Sequence, residues 1–262
     1  MALPLENKRA LVGGASRGIG LGCAICLAAE GATVTVMARD SSALERAVAE
    51  LPTPVAQSHS SVVHDSANWS DVGTLVDADI AANGPIQILV HNTGGPPPGL
   101  AVDAEPLQFD KAFDMHILSG QSLVRTLVPG MRATGYGRII NIISSSVVTP
   151  LPNLGVSNTI RGAVSQWGRT LAAELGGDGI TVNNVLPGSI DTERLRTTMT
   201  LIAERTEQSI DDVASNTIDS IPAGRLGEPA DIGSVVSFLA SPAASYVNGV
   251  NLPVDGGKTA VQ

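Results

Sequence analysis

Gly13-Gly14-Ala15-Ser16-Arg17-Gly18-Ile19-Gly20 is the stretch of this chain with the plainest chemistry, the holding of a phosphate by backbone. It follows the apolar run Ala10-Leu11-Val12 and precedes a helical stretch from Leu21 to Ala29. Strand, glycine turn and helix in that order present backbone N–H groups and a helix N-terminus to an anion. Gly14, Gly18 and Gly20 let the backbone turn tightly and approach a pyrophosphate where a Cβ would collide. A second candidate is His116, because an ordinary imidazole pKa of about 6.5 suits proton transfer near neutrality. The competing role for a lone histidine on a helix is structural. Cys23 and Cys26 have the spacing of a redox pair or half a metal site. No second pair completes such a site, so they read as small residues packing a helix against a sheet, and no metal is expected.

The elements that must position these groups alternate strand and helix from end to end. Thr33–Met37 reads as the second strand, since Glu30-Gly31 ends the helix before it. Ser42-Ala43-Leu44-Glu45 has capping-box spacing for the next helix. Ile86–Val90 predicts a fourth strand, Arg138–Ile143 a fifth, Ile180–Val185 a sixth, and Val250–Val254 the closing one. No repeat, low-complexity tract or linker interrupts the series. The whole of residues 1–262 therefore reads as one α/β domain, a Rossmann fold with a doubly wound parallel sheet and helices on both faces. A hydrophobic content of 43% with only 3% aromatic residues predicts the aliphatic core that buried parallel strands require.

Charge and hydropathy remove other classes. A net charge of −9 argues against sequence-independent nucleic-acid binding. No apolar run approaches the roughly 20 residues of a membrane span. The start, Met1 to Lys8, has no secretory pattern, which predicts a cytoplasmic protein.

Cofactor preference is legible at the end of the second strand. An NAD-binding fold places an acidic side chain there for the ribose hydroxyls. This chain has Ala38-Arg39, with Arg17 in the glycine loop. Two guanidinium groups at those places suit a 2′-phosphate, so NADP(H) is expected over NAD(H).

The Gly-x-x-x-Gly-x-Gly spacing resembles that of the short-chain dehydrogenase/reductase family, in a divergent branch similar to 3-oxoacyl-(acyl-carrier-protein) reductases. The resemblance covers nearly the whole chain. It implies that Asn92-Thr93-Gly94 lines the adenosine side of a cofactor site, and that Pro187-Gly188-Ser189-Ile190-Asp191-Thr192 holds the carboxamide. Val62-Val63 stands where the family carries an Asp-Val pair for the adenine. Arg225–Pro229 and Ser245–Gly249 resemble segments that build tetramer interfaces, which implies a homotetramer. Glu174 and Asp178 make a poor docking surface for an acidic carrier protein.

The same resemblance locates an unusual catalytic set. Gly137-Arg138-Ile139-Ile140-Asn141-Ile142-Ile143-Ser144 matches the strand that ends in the family's catalytic serine, so Ser144 takes that role, with Ser145 and Ser146 beside it. The family's tyrosine position is Ser157, its lysine position Arg161, and its asparagine position His116. A serine hydroxyl is shorter and far less acidic than a phenol. Arg161 keeps the charge and can donate to a ribose, but it cannot relay a proton. His116, or a water held by Ser144 and Ser157, is left as the proton source. Asn153, Ser157 and Asn158 are candidates to line the pocket. Gly95-Pro96-Pro97-Pro98-Gly99 forms a rigid turn suited to walling it, and the polar stretch 193–217 to covering it.

Three functions fit these residues: an NADP-dependent oxidoreductase of a small carbonyl or acyl substrate, a cofactor-binding protein without redox turnover, and a non-redox lyase that reuses the pocket.

Overall fold

Side chains alternate across each strand of a sheet, and here the alternation sorts the core into two layers. The computed structural model describes residues 2–261. Its strands are β1 (Arg9–Gly13), β2 (Thr33–Ala38), β3 (Ser60–Val63), β4 (Ile88–His91), β5 (Gly137–Ile142), β6 (Ile180–Pro187) and β7 (Asn251–Val254). They form one sheet in the order β3-β2-β1-β4-β5-β6-β7, with every pairing parallel. The helices between them are α1 (Gly18–Ala29), α2 (Ser41–Glu50), α3 (Val72–Asn83), α4 (Pro106–Phe113), α5 (Ser119–Thr134), α6 (Gly155–Leu175), α7 (Glu193–Thr206), α8 (Ile210–Asp219) and α9 (Pro229–Ala240).

Val12, Val90, Ile140 and Val185 face one way and meet Leu27 of α1 and Val236 of α9. Leu11, Leu89, Ile139 and Val182 face the other way and meet Val76 of α3, Leu127 of α5 and Leu171 of α6. Both layers are aliphatic, as the composition predicts. The strand order reverses between β1 and β4, and a crevice must open beyond the carboxyl ends of those strands.

Local differences from the sequence reading have local causes. β4 starts two residues later than predicted and runs on to His91. Helix α2 is capped by Asp40 rather than by the Ser42–Glu45 box. The Asp40 carboxylate accepts the Ala43 N–H at 3.0 Å and the Ser42 hydroxyl at 2.8 Å. A carboxylate at that place satisfies the free N–H and also complements the helix dipole. The polar stretch 193–217 folds as α7 and most of α8, closed by a small cluster of Met199, Ala203 and Val213.

The two cysteines serve the packing of α1. Cys23 is fully buried in the first layer, and burial raises its thiol pKa far above the ordinary value. Helix α9 crosses α1 at a glycine. A Cβ on Gly233 would stand 2.6 Å from both the Cys26 Sγ and the Gly22 carbonyl oxygen. Gly233→Ala is therefore expected to cost about 1–3 kcal/mol by overpacking. The midpoint of urea unfolding should fall with its slope unchanged.

Candidate active site

The glycine loop leaves β1 at the order reversal. Gly14 and Gly18 lie in the left-handed region, at φ 57° and 58°, where an L side chain is strained. A Cβ on Gly20 would stand 2.2 Å from the Gly14 carbonyl oxygen, so the loop folds back onto α1 only with glycine there. Arg17 occupies the N-cap of α1 with extended backbone and makes no side-chain cap. The first N–H groups of the helix are left for a ligand. Ser16 is half-buried in the loop, and Ile19 packs against the first core layer. Asn92, after β4, donates from Nδ2 to the Gly13 carbonyl at 3.1 Å. Its side chain braces the loop. A Cβ on Gly94 would meet nothing within 4 Å, so the backbone there faces open space. Uncapped helix, glycine loop and open backbone together fit a pyrophosphate.

The segment after β6 forms the facing wall. The Gly188 N–H donates to the Val254 carbonyl at 3.1 Å, and Ile190 is buried. Thr192 caps α7, its Oγ1 accepting the Leu195 N–H at 3.3 Å. Its methyl group stands 3.3 Å from where a Gly18 Cβ would be, so the two loops close on each other. The Arg17 guanidinium meets the Glu193 carboxylate across the same gap. Arg39, just beyond β2, is exposed and lies 3.9 Å from Asp65. Both arginines sit at the mouth of the crevice, each facing a carboxylate. Pairs this exposed are weak.

Ser144 follows β5 with extended backbone. Its Oγ accepts the Ser146 N–H at 3.1 Å, which leaves its own O–H free to donate. Ser145 and Ser146 are buried, so Ser144 alone of the three serines presents an accessible side chain. Ser157 and Arg161 are one turn apart on α6 and share a face. Ser157 is half-buried, while Arg161 is buried and donates from Nη1 to the Ile142 carbonyl at 3.0 Å. Asn158 turns away and donates to the Leu151 carbonyl at 2.9 Å, bracing the preceding loop instead of lining the pocket. Asn153 holds that loop at a left-handed φ of 58°. Its carbonyl accepts the Gly99 N–H at 2.8 Å, which ties the proline turn to the start of α6.

His116 sits in a π-helical turn, Asp114–Leu118, that joins α4 to α5. Such a turn widens the helix and is common at functional sites. A 2.6 Å hydrogen bond joins His116 Nδ1 to Thr93 Oγ1. Nε2 is buried without a partner. Burial, and then the Arg161 charge, push the His116 pKa down to about 2. This corrects the expectation of an imidazole that titrates near neutrality: His116 is a neutral group here. His91, at the end of β4, is also buried, with its ring edge-on to Trp167 and its pKa lowered to about 4 by burial.

Neither tyrosine reaches the site. The Tyr136 hydroxyl donates to the Ala240 carbonyl and its ring carries the Arg138 guanidinium at 4.1 Å, while Tyr246 is fully exposed. One residue absent from the sequence-based set joins the site. Arg194, two places past Thr192, donates to the Gly95 and Pro96 carbonyls at 3.2 Å each. Its position just beyond the Pro-Gly motif was the available signal.

Comparison with known proteins accords with this geometry. Residues 14–259 match the family described as enoyl-(acyl carrier protein) reductase. The chain is 33% identical over 258 residues to the 2,3-dihydroxy-2,3-dihydro-p-cumate dehydrogenase of Pseudomonas putida, which covers 98% of this chain and 96% of that one. Among solved structures, L-sorbose reductase from Gluconobacter frateurii, complexed with NADPH and L-sorbose, superposes with a TM-score of 0.92 at 30% identity over 99% of both chains. The 3-ketoacyl-(acyl-carrier-protein) reductase of Brucella melitensis, complexed with NADH, gives 0.84 at 33% identity over 97% of this chain and 99% of that one. The chain thus belongs to the short-chain dehydrogenase/reductase family and is an oxidoreductase of that class.

The buried histidines make stability depend on pH. Both are neutral in the folded chain and would take up a proton on unfolding, at the ordinary pKa near 6.5. The unfolded state therefore binds more protons below that value, and acid favours it. With a folded pKa of about 4, His91 alone should remove about 3 kcal/mol between pH 6.5 and 4. His91→Asn is expected to flatten that acid limb in urea titrations run from pH 7 to 4.

Proposed function

We propose that this chain interconverts a carbonyl and a hydroxyl on a small molecule with a nicotinamide dinucleotide as cofactor, NADP(H) in preference to NAD(H). What supports the reading is an accessible Ser144 hydroxyl just after β5, with Ser157 and Arg161 sharing a face of α6 and Arg161 bonding the Ile142 carbonyl at the end of that strand. Gly14, Gly18 and the N-terminus of α1 receive the pyrophosphate, and Thr93 and Gly94 line the adjoining wall. Ile190 and Thr192 approach the carboxamide end, and Arg161 donates to the ribose. Arg17 and Arg39 exchange their exposed carboxylate partners for the 2′-phosphate. Bound there, the cofactor supplies or accepts hydride.

The rest is the work of the chain. Ser144 donates its O–H to the substrate oxygen and polarises the carbonyl. A water held by Ser144 and Ser157 delivers the proton and recovers one from bulk solvent, which reaches these half-exposed residues. The nearby Arg161 charge stabilises the negative oxygen that develops. His116 stays neutral and orients the Thr93 hydroxyl. Exposed apolar side chains on α4 (Leu107, Phe113), on α9 (Phe238) and at Tyr246 support assembly into a homotetramer.

NADPH should raise the melting temperature more than NADH does, and Arg39→Asp should reverse the order. Equal shifts would remove the NADP preference. Ser144→Ala should lower kcat by about 10²-fold, the scale of one lost oxyanion donor. The substrate for that measurement is found by following NADPH oxidation across ketones, quinones and 3-oxoacyl thioesters. Confirmed NADPH binding without oxidation of any of them would favour a cofactor-binding protein without turnover, a reading supported by the absence of a tyrosine from the crevice.

A further inference from the structure

Charge at the substrate end of the crevice is not balanced within the chain. Arg9, Arg17, Arg39, Arg132, Arg196 and Arg225 each pair with a carboxylate. Among the described residues seven arginines have no such partner, although the chain as a whole carries a net charge of −9. Arg46, Arg125, Arg169 and Arg205 are exposed to solvent away from the crevice loops, while Arg161 and Arg194 stand at the crevice. Arg138 is also buried and unpaired, but it donates to two carbonyls and lies over the Tyr136 ring. Arg161 has one carbonyl, that of Ile142, and is 9% exposed. Arg194 reaches the same place from the first turn of α7. Its two terminal nitrogens are anchored on the Gly95 and Pro96 carbonyls, which sets the guanidinium over the proline turn. A Cβ on Gly95 would stand 2.7 Å from Arg194 Nη2, so the glycine gives the guanidinium its seat. The two charges also oppose one another: Arg161 is held down to about 10 by burial and then by Arg194, and both depress His116.

Arg194 is exposed, whereas Arg161 is buried, and a buried cation without a counter-charge is costly unless a ligand supplies one. The His116 Nε2, almost fully buried and without a partner, is a further polar atom left unsatisfied near this end. We propose that the substrate carries a carboxylate, which Arg194 holds at this end of the crevice within the field of the buried Arg161 charge. The planar carboxylate matches the guanidinium fork with two parallel hydrogen bonds. Arg194 is then the residue that selects acids over neutral molecules. The inference rests on the crevice being the site of the redox reaction, and its test is made independent of turnover.

The test is calorimetric titration of the NADP-saturated protein at low salt with acetoacetate, pyruvate and benzoylformate, each against its methyl ester. At least one acid should bind about tenfold or more tighter than its ester, the scale of one charge-assisted hydrogen bond. Arg194→Gln should abolish that preference, Arg194→Lys should keep part of it, and both variants should show the parent protein's thermal shift with NADPH. Equal binding of acid and ester in every pair, or no binding of any acid, overturns the proposal. So does an Arg194→Gln variant that loses acid and ester alike. Selective acid binding without any oxidation or reduction would uphold it while removing the redox reading, and turnover of neutral ketones alone would do the reverse.

Discussion

The hydrogen bond from the Asn92 amide to the Gly13 carbonyl, 3.1 Å long, holds together the two loops that make this molecule a binding protein. It crosses the line where the strand order reverses, between β1 and β4. The helices that follow those strands lie on opposite faces of the sheet, so nothing fills the gap between the loops. Asn92 crosses it at the cost of space. A Cβ on Gly13 would stand 2.7 Å from the Asn92 carbonyl oxygen, and one on Gly14 2.7 Å from its amide nitrogen. Glycine in both places is therefore required by the neighbouring loop as well as by any phosphate. Cradle geometry and sheet topology are one constraint.

From that seam the site extends in one direction. Thr93 and Gly94 continue past Asn92, and Thr93 bonds His116 in the π turn between α4 and α5. The proline turn follows and is tied to Asn153 and Gly155 at the head of α6. Arg194 closes the circuit from α7 by bonding the same turn. Four separate segments thus meet through backbone carbonyls and one threonine. Main-chain contacts of this kind leave the side-chain chemistry free to diverge.

The electrostatics of that pocket run opposite to those of the whole chain. Six arginines elsewhere pair with carboxylates, whereas Arg161 and Arg194 stand near two histidines and, among the described residues, neither makes a salt bridge. Desolvation and the arginine charges keep both histidines neutral. The local field therefore favours electron-rich oxygen: an anionic substrate group, or the negative charge that develops on a carbonyl as it is reduced.

Much of this was legible in the sequence because it depends on short-range pattern. Strand and helix order, the aliphatic core and the glycine loop follow from residue type and spacing, and the candidates Ser144, Ser157 and Arg161 from the resemblance to the family. Contacts between distant segments were not legible. Asn92 reads as a residue lining the cofactor site, and only the fold shows that its amide also braces the glycine loop. Asn158 looked like a pocket residue and ties down Leu151. Arg194 drew no attention, because only folding brings α7 to the proline turn, 99 residues away along the chain from Gly95. His116 shows the division most plainly. Its type and ordinary pKa pointed to an acid–base group near neutrality. Only the tertiary structure buries it near His91 and two arginines, and desolvation with like charge, neither of which a linear sequence displays, makes it neutral.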